Sequence, residues 1–186
     1  MENIETIKET RSWRSLLAWS AIWIGLIALL VLLAIGLRRT QQGPVVRGEK
    51  APDFVFTSFD GQVWDSKDLA GKVIVLNIWA SWCKPCEQEA ADLQTAWEIY
   101  QEREDIIFLG LDYVDTEREA MAYLEKFRIT YPNGPDLGQE IYEDFRANGV
   151  PETYIIDQSG TLAYVKIGPF NNLAEIMAAI DPLLPD

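Results

Sequence analysis

The chain has 186 residues, 48% of them apolar, and a net charge of −13 from 16 basic and 29 acidic residues; it has two cysteines and no histidine. This length and apolar content suit one folded domain with an added segment, and the acidity disfavours phosphate backbones, so no nucleic acid partner is expected. Two cysteines three positions apart close too short a loop to staple a fold, and a four-ligand zinc site would need carboxylates or a second chain.

In chain order, residues 1–14 form a polar tail. Ser15 to Leu37 is a run of 23 residues without a formal charge. As a helix it would extend roughly 35 Å, at about 1.5 Å per residue, enough to cross a bilayer. A cleavable signal peptide has a shorter apolar core ending in small residues; this run ends Ile35-Gly36-Leu37-Arg38-Arg39, which favours a retained transmembrane anchor over residues 15–37. Lys8, Arg11 and Arg14 on one side balance Arg38, Arg39 and Arg47 on the other, so charge counting leaves the orientation open. Residues 1–47 hold six of the basic residues and three of the acidic ones, which leaves residues 48–186 at −16.

Residues 38–50, with Gly43 and Pro44, read as a linker, and a domain is expected over 51–186. Phe54-Val55-Phe56 and Gln62-Val63-Trp64 flank Asp60-Gly61 and predict a strand pair. Val73 to Trp79 is a continuous apolar run of the kind buried on both faces of a central strand. From Lys84 to about Glu104, Leu93, Ala96, Trp97 and Tyr100 share a helical face, and Pro85 is placed where a missing N–H is harmless.

Ile106 to Leu111 predicts a second buried strand. Thr116 with Glu119 opens a helix bearing Ala120, Leu124 and Phe127. A short helix carries Ile141, Tyr142 and Phe145 inward and is expected to stop at Asn148-Gly149. Thr153–Ile156 and Leu162–Ile167 pair across the Asp157–Gly160 turn, and a last helix covers Leu173 to Ile180. The order predicts an α/β domain, a mixed sheet with helices on both faces.

Trp82-Cys83-Lys84-Pro85-Cys86 lies at the junction of the buried strand and the long helix. The free N–H groups and dipole of a helix start favour a thiolate, so Cys83 is the expected nucleophile and Cys86, one turn deeper, the resolving thiol. Without histidine, a proton acceptor must be a carboxylate or water. Glu89 stands three residues after Cys86 on nearly the same helix face; the alternative is a solvated surface glutamate.

The segment Val73 to Cys86, Glu89, and Gly149-Val150-Pro151-Glu152-Thr153 followed by an apolar strand resemble the membrane-tethered thioredoxin-like proteins of the TlpA, ResA and DsbE (CcmG) type. The resemblance implies a thioredoxin-like fold after one N-terminal transmembrane helix, and a cis peptide before Pro151. It also implies a loop whose Val150 backbone pairs with an extended client, and a functional carboxylate at Glu89. Trp82, Val150, Pro151 and Glu152 are then the expected client-binding residues. By the same resemblance the domain is extracytoplasmic, with 1–14 inside and 38–186 outside.

The implied activity is thiol–disulfide exchange by the Cys83/Cys86 dithiol, with no cofactor beyond that redox-active pair. The preferred reading is reduction of client disulfides in cytochrome c maturation. Its partners would be apocytochrome c or its haem-ligation partners, and a membrane thiol reductant would restore the dithiol. Alternatives are a general disulfide oxidase or isomerase, whose oxidising members tend to have histidine where Lys84-Pro85 stands, and a non-enzymatic thiol module for metal delivery or chaperone-like holding.

Overall fold

The computed structural model describes residues 13–40 and 45–185. The chain divides into two compact units, over residues 1–43 and 44–186. The first contains one helix, α1 (Trp13–Thr40), whose stretch Leu17–Gly36 is long and apolar enough to cross a membrane. Most of the polar tail expected over 1–14 lies outside the described residues.

The second unit begins earlier than the sequence suggested. Val45 is buried in the core, Gly48 N–H donates to Leu162 O at 2.8 Å, and Leu162 N–H returns a bond to Glu49 O at 2.9 Å. Residues 45–50 are therefore part of the domain, and the linker expected over 38–50 is correspondingly shorter. Its Pro/Gly composition concealed a backbone that pairs with a strand more than a hundred residues away.

A two-stranded hairpin comes first, β1 (Val55–Thr57) against β2 (Val63–Asp65). β3 (Val73–Trp79) leads directly into α2 (Lys84–Tyr100), followed by β4 (Ile106–Asp112), α3 (Glu117–Phe127), β5 (Asn133–Pro135) and α4 (Glu140–Asp144). β6 (Glu152–Ile156), β7 (Leu162–Ile167) and α5 (Leu173–Ile180) complete it, with a 3₁₀ turn at Asp181–Leu183. The sheet order is β5-β4-β3-β6-β7, with β3 parallel to β4 and antiparallel to β6.

β3 is central and buried along its whole length, as an unbroken Val/Ile/Leu run demands. Its even residues Ile74, Leu76 and Ile78 pack with Phe54, Phe56, Ile141 and Phe145. Val73 and Val75 face the other way, onto Leu93 and Ala96 of α2 and Ile176 and Ile180 of α5. Each such aliphatic side chain contributes about 1.5–3 kcal/mol by burial, so the strand that delivers the cysteines is anchored in the core on both faces.

Three local differences have physical causes. α2 ends at Tyr100 rather than near Glu104: Gln101 N–H closes onto Trp97 O at 2.8 Å, and the following Gln-Glu-Arg-Glu offers no apolar face to extend the helix. α4 stops at Asp144, before Asn148-Gly149, because Arg146 takes a left-handed backbone (φ 51°) and Ala147 N–H folds back to Tyr142 O. β5 is an added strand of Asn-Gly-Pro, too short and too polar to show any periodicity.

Candidate functional site

The cysteine turn lies at the C-terminal end of β3. Cys83 is the N-cap of α2, with an extended backbone (φ −82°, ψ 103°), and its Sγ accepts from Cys86 N–H at 3.1 Å. Pro85 occupies the first turn. The sulfur thus occupies the place an N-cap oxygen would take, facing the unsatisfied N–H groups and the positive end of the dipole. Cys83 and Cys86 are joined in a disulfide. Cys83 is 3% exposed and Cys86 1%, packed with Trp79, Ala80, Ala90, Ala120 and Tyr123. Trp82, by contrast, is 58% exposed beside them.

Trp79 forms the inner wall. Its ring stacks on Tyr123 with centroids 4.4 Å apart, and its Nε1–H donates to Asn133 Oδ1 at 2.8 Å. Asn133 is fixed at its other end by Nδ2 donating to Tyr131 O at 2.8 Å. Gly110 leaves the space this amide fills: a Cβ there would lie 1.7 Å from Asn133 Oδ1.

Glu89, one turn beyond Cys86, is not a solvated side chain. It is 1% exposed. Its Oε1 accepts from Asn77 Nδ2 at 2.9 Å and its Oε2 from Phe170 N–H at 2.8 Å. Asn77 also donates to Thr153 Oγ1 at 2.9 Å. A polar chain thereby crosses the core, joining the cysteine helix, the central strand, the strand after Pro151 and the loop after β7. Burial pushes the Glu89 carboxyl up to about 7; the bonds from Phe170 and Asn77 and the charge of Lys166 oppose that rise, while Glu175 adds to it.

The peptide Val150–Pro151 is cis. Val150 packs against the same cluster that holds Cys83 and Cys86, so the loop borders the cysteines. Glu152 differs from its expected place at a client surface. It is buried in β6, its Oε1 accepting from Asn148 N–H at 2.9 Å and its Oε2 from the Tyr154 hydroxyl. Both oxygens are spent holding the loop's own backbone and core, so its part in the site is to shape the Pro151 loop from within.

The sequence reading missed Asn77, Thr153 and Phe170. Asn77 had a signal, as the single polar residue in a seven-residue apolar strand; a buried amide there requires partners. Phe170 contributes a backbone N–H, which no side-chain pattern reveals. Among the described residues, no group of three or more His, Cys, Asp or Glu is arranged to hold a metal ion.

Residues 47–165 match the AhpC/TSA family. The chain belongs to that family. The thiol–disulfide oxidoreductase ResA of Bacillus anthracis is 31% identical over 121 residues, 65% of this chain and 69% of that protein. ResA of Geobacillus thermodenitrificans is 29% identical over 147 residues, covering 76% and 84%. Among solved structures, a thiol:disulfide interchange protein from Chlorobium tepidum superimposes with a TM-score of 0.67 at 26% identity, covering 75% of this chain and 98% of that one. The fold is thioredoxin-like, and this AhpC/TSA member is a thiol–disulfide oxidoreductase of the ResA type.

Proposed function

We propose that this oxidoreductase is an electron donor on the extracytoplasmic side of a bacterial membrane, reducing client disulfides in cytochrome c maturation. In the reduced protein the Cys83 thiolate attacks one sulfur of the client disulfide, expelling a client thiolate and forming a mixed disulfide. Cys86 then gives its proton to Glu89 and attacks Cys83 Sγ, which closes the Cys83–Cys86 bond and releases the second client thiolate. Two electrons pass to the client, and a separate membrane thiol reductant restores the dithiol. Apocytochrome c or its haem-ligation partners would be the clients, docking between Trp82 and the Val150–Pro151 loop. α1 would serve as the anchor, with residues 1–14 inside and 38–186 outside.

The observation that carries this reading is the buried Glu89 one turn beyond Cys86. A carboxyl titrating near 7 can take up the resolving thiol's proton. Its charged form disfavours a neighbouring thiolate, which destabilises the dithiol relative to the disulfide and lowers the potential. The test is the reduction potential of the full chain in detergent, equilibrated with dithiothreitol or glutathione buffers and followed by tryptophan fluorescence. A potential near or below about −270 mV supports an electron donor; one near about −120 mV would assign the protein to oxidation instead.

A further inference from the structure

The turn from Ala80 to Cys83 sets where the reactive sulfur lies against the start of α2. Within it, Cys83 N–H donates to Ala80 O at 3.1 Å. A second hold on the turn comes from a residue 34 positions away: Asp115 Oδ2 accepts from Ser81 N–H at 2.5 Å, and Asp115 Oδ1 accepts from Ser81 Oγ–H at 2.8 Å. Both oxygens of one carboxylate grip one residue, two positions before Cys83. Asp115 is not engaged in capping its own helix, since Thr116 is the N-cap of α3 and Glu119 completes that capping box.

Behind Asp115 lies Asp112, the last residue of β4, in register with Trp79. Asp112 is buried, and its Oδ1 has no hydrogen-bond partner among the described residues. Asp115 is the nearest negative group acting on it, with Glu119 the next. Burial first, and then the Asp115 side chain, push the Asp112 carboxyl up to about 8, while the Asp115 backbone N–H opposes the rise.

We propose that Asp115 is a positioning residue for Cys83, clamping the Ser81 turn with both carboxylate oxygens. The proposal rests on Cys83 as the attacking thiol. It adds that the turn presenting this thiol is held from the connection between β4 and α3 as well as from its own helix. A carboxylate gripping the residue two positions before Cys83 would also disfavour a thiolate at that sulfur.

The experiment compares Asp115→Ala, Asp115→Asn and Ser81→Ala in the full chain in detergent. It measures the Cys83 titration by thiolate absorbance, and exchange with a small aromatic disulfide at a pH where the thiolate is fully formed. Asp115→Ala is expected to slow exchange about tenfold, the loss of a charge-assisted hold on the turn. Asp115→Asn keeps one acceptor and is expected to recover most of the rate, yet to shift the Cys83 titration downward because the charge is gone. Ser81→Ala, which removes one bond and no charge, should slow exchange about threefold with an unshifted titration.

Rates within twofold of the parent for Asp115→Ala and Ser81→Ala, with an unshifted titration in Asp115→Asn, would overturn the proposal. If Asp115→Ala does not fold, the other two variants decide it on the same criteria. Exchange retained by Cys83→Ser would defeat the underlying nucleophile assignment instead, a different result from any of these.

Discussion

Asn77, in the middle of the central strand, donates to Glu89 on the cysteine helix at 2.9 Å, and the same amide nitrogen donates to Thr153 two residues past the cis proline. One buried amide therefore sets the orientation of the site's carboxyl and ties the two segments that flank the disulfide. An amide does this without adding a second charge to a site where Glu89 already titrates near neutrality.

Glu89→Gln should change how stability depends on pH. The folded-state value of Glu89 is raised from 4.5 to about 7, so between those values the folded protein holds a proton that the unfolded chain has lost. The stabilisation is complete below the unfolded value and disappears as pH rises through the folded one, a fall on the order of 3 kcal/mol. In Glu89→Gln this decline should vanish, and exchange should lose the ionisation near neutral pH. Denaturant titrations of parent and variant at pH 5 and pH 8 check it; parallel pH profiles would show that Glu89 is not the group responsible.

Cys86→Ser should accumulate a covalent adduct with a natural client, since the mixed disulfide on Cys83 has lost its resolving thiol. Cys83→Ser should form none. Non-reducing electrophoresis of both variants purified from cells distinguishes them, and an adduct formed on Cys86 in the second variant would reverse the assignment of roles.

Gly110→Ala should unseat the wall behind the disulfide. The added Cβ would meet Asn133 Oδ1 at 1.7 Å, and Asn133 is held at both ends, by Trp79 and by Tyr131. A loss of about 2–4 kcal/mol is expected from overpacking together with a broken buried hydrogen bond. Urea unfolding measures it, and a change below about 0.5 kcal/mol would mean that Asn133 moves aside freely.

Much of this architecture was legible because its signals are local. The apolar run Val73–Trp79 could only be a buried strand, Thr116 and Glu119 carry their cap within one turn, and Leu173–Ile180 matches its helix from end to end. Cys83 and Cys86 stood out by spacing alone, and family resemblance anticipated the cis bond at Pro151. What escaped depends on partners distant in sequence. β5 exists because Gly110 and Leu111 offer Asn133 and Gly134 a parallel ladder, Glu89 becomes buried because Phe170 arrives from 81 positions away, and Glu152 turns inward to meet Asn148 and Tyr154.

The pairing of residues 48–50 with Thr161 and Leu162 has a geometric consequence for the domain. Leu162 is in register with Ile156, and Ile156 with Ile74, at the start of β3, whereas the disulfide follows its last residue. The polypeptide thus enters at one pole of the sheet and performs its chemistry at the other, separated by the length of a seven-residue strand, roughly 20 Å. The first described residues of the domain are thus secured at the pole that carries neither cysteine.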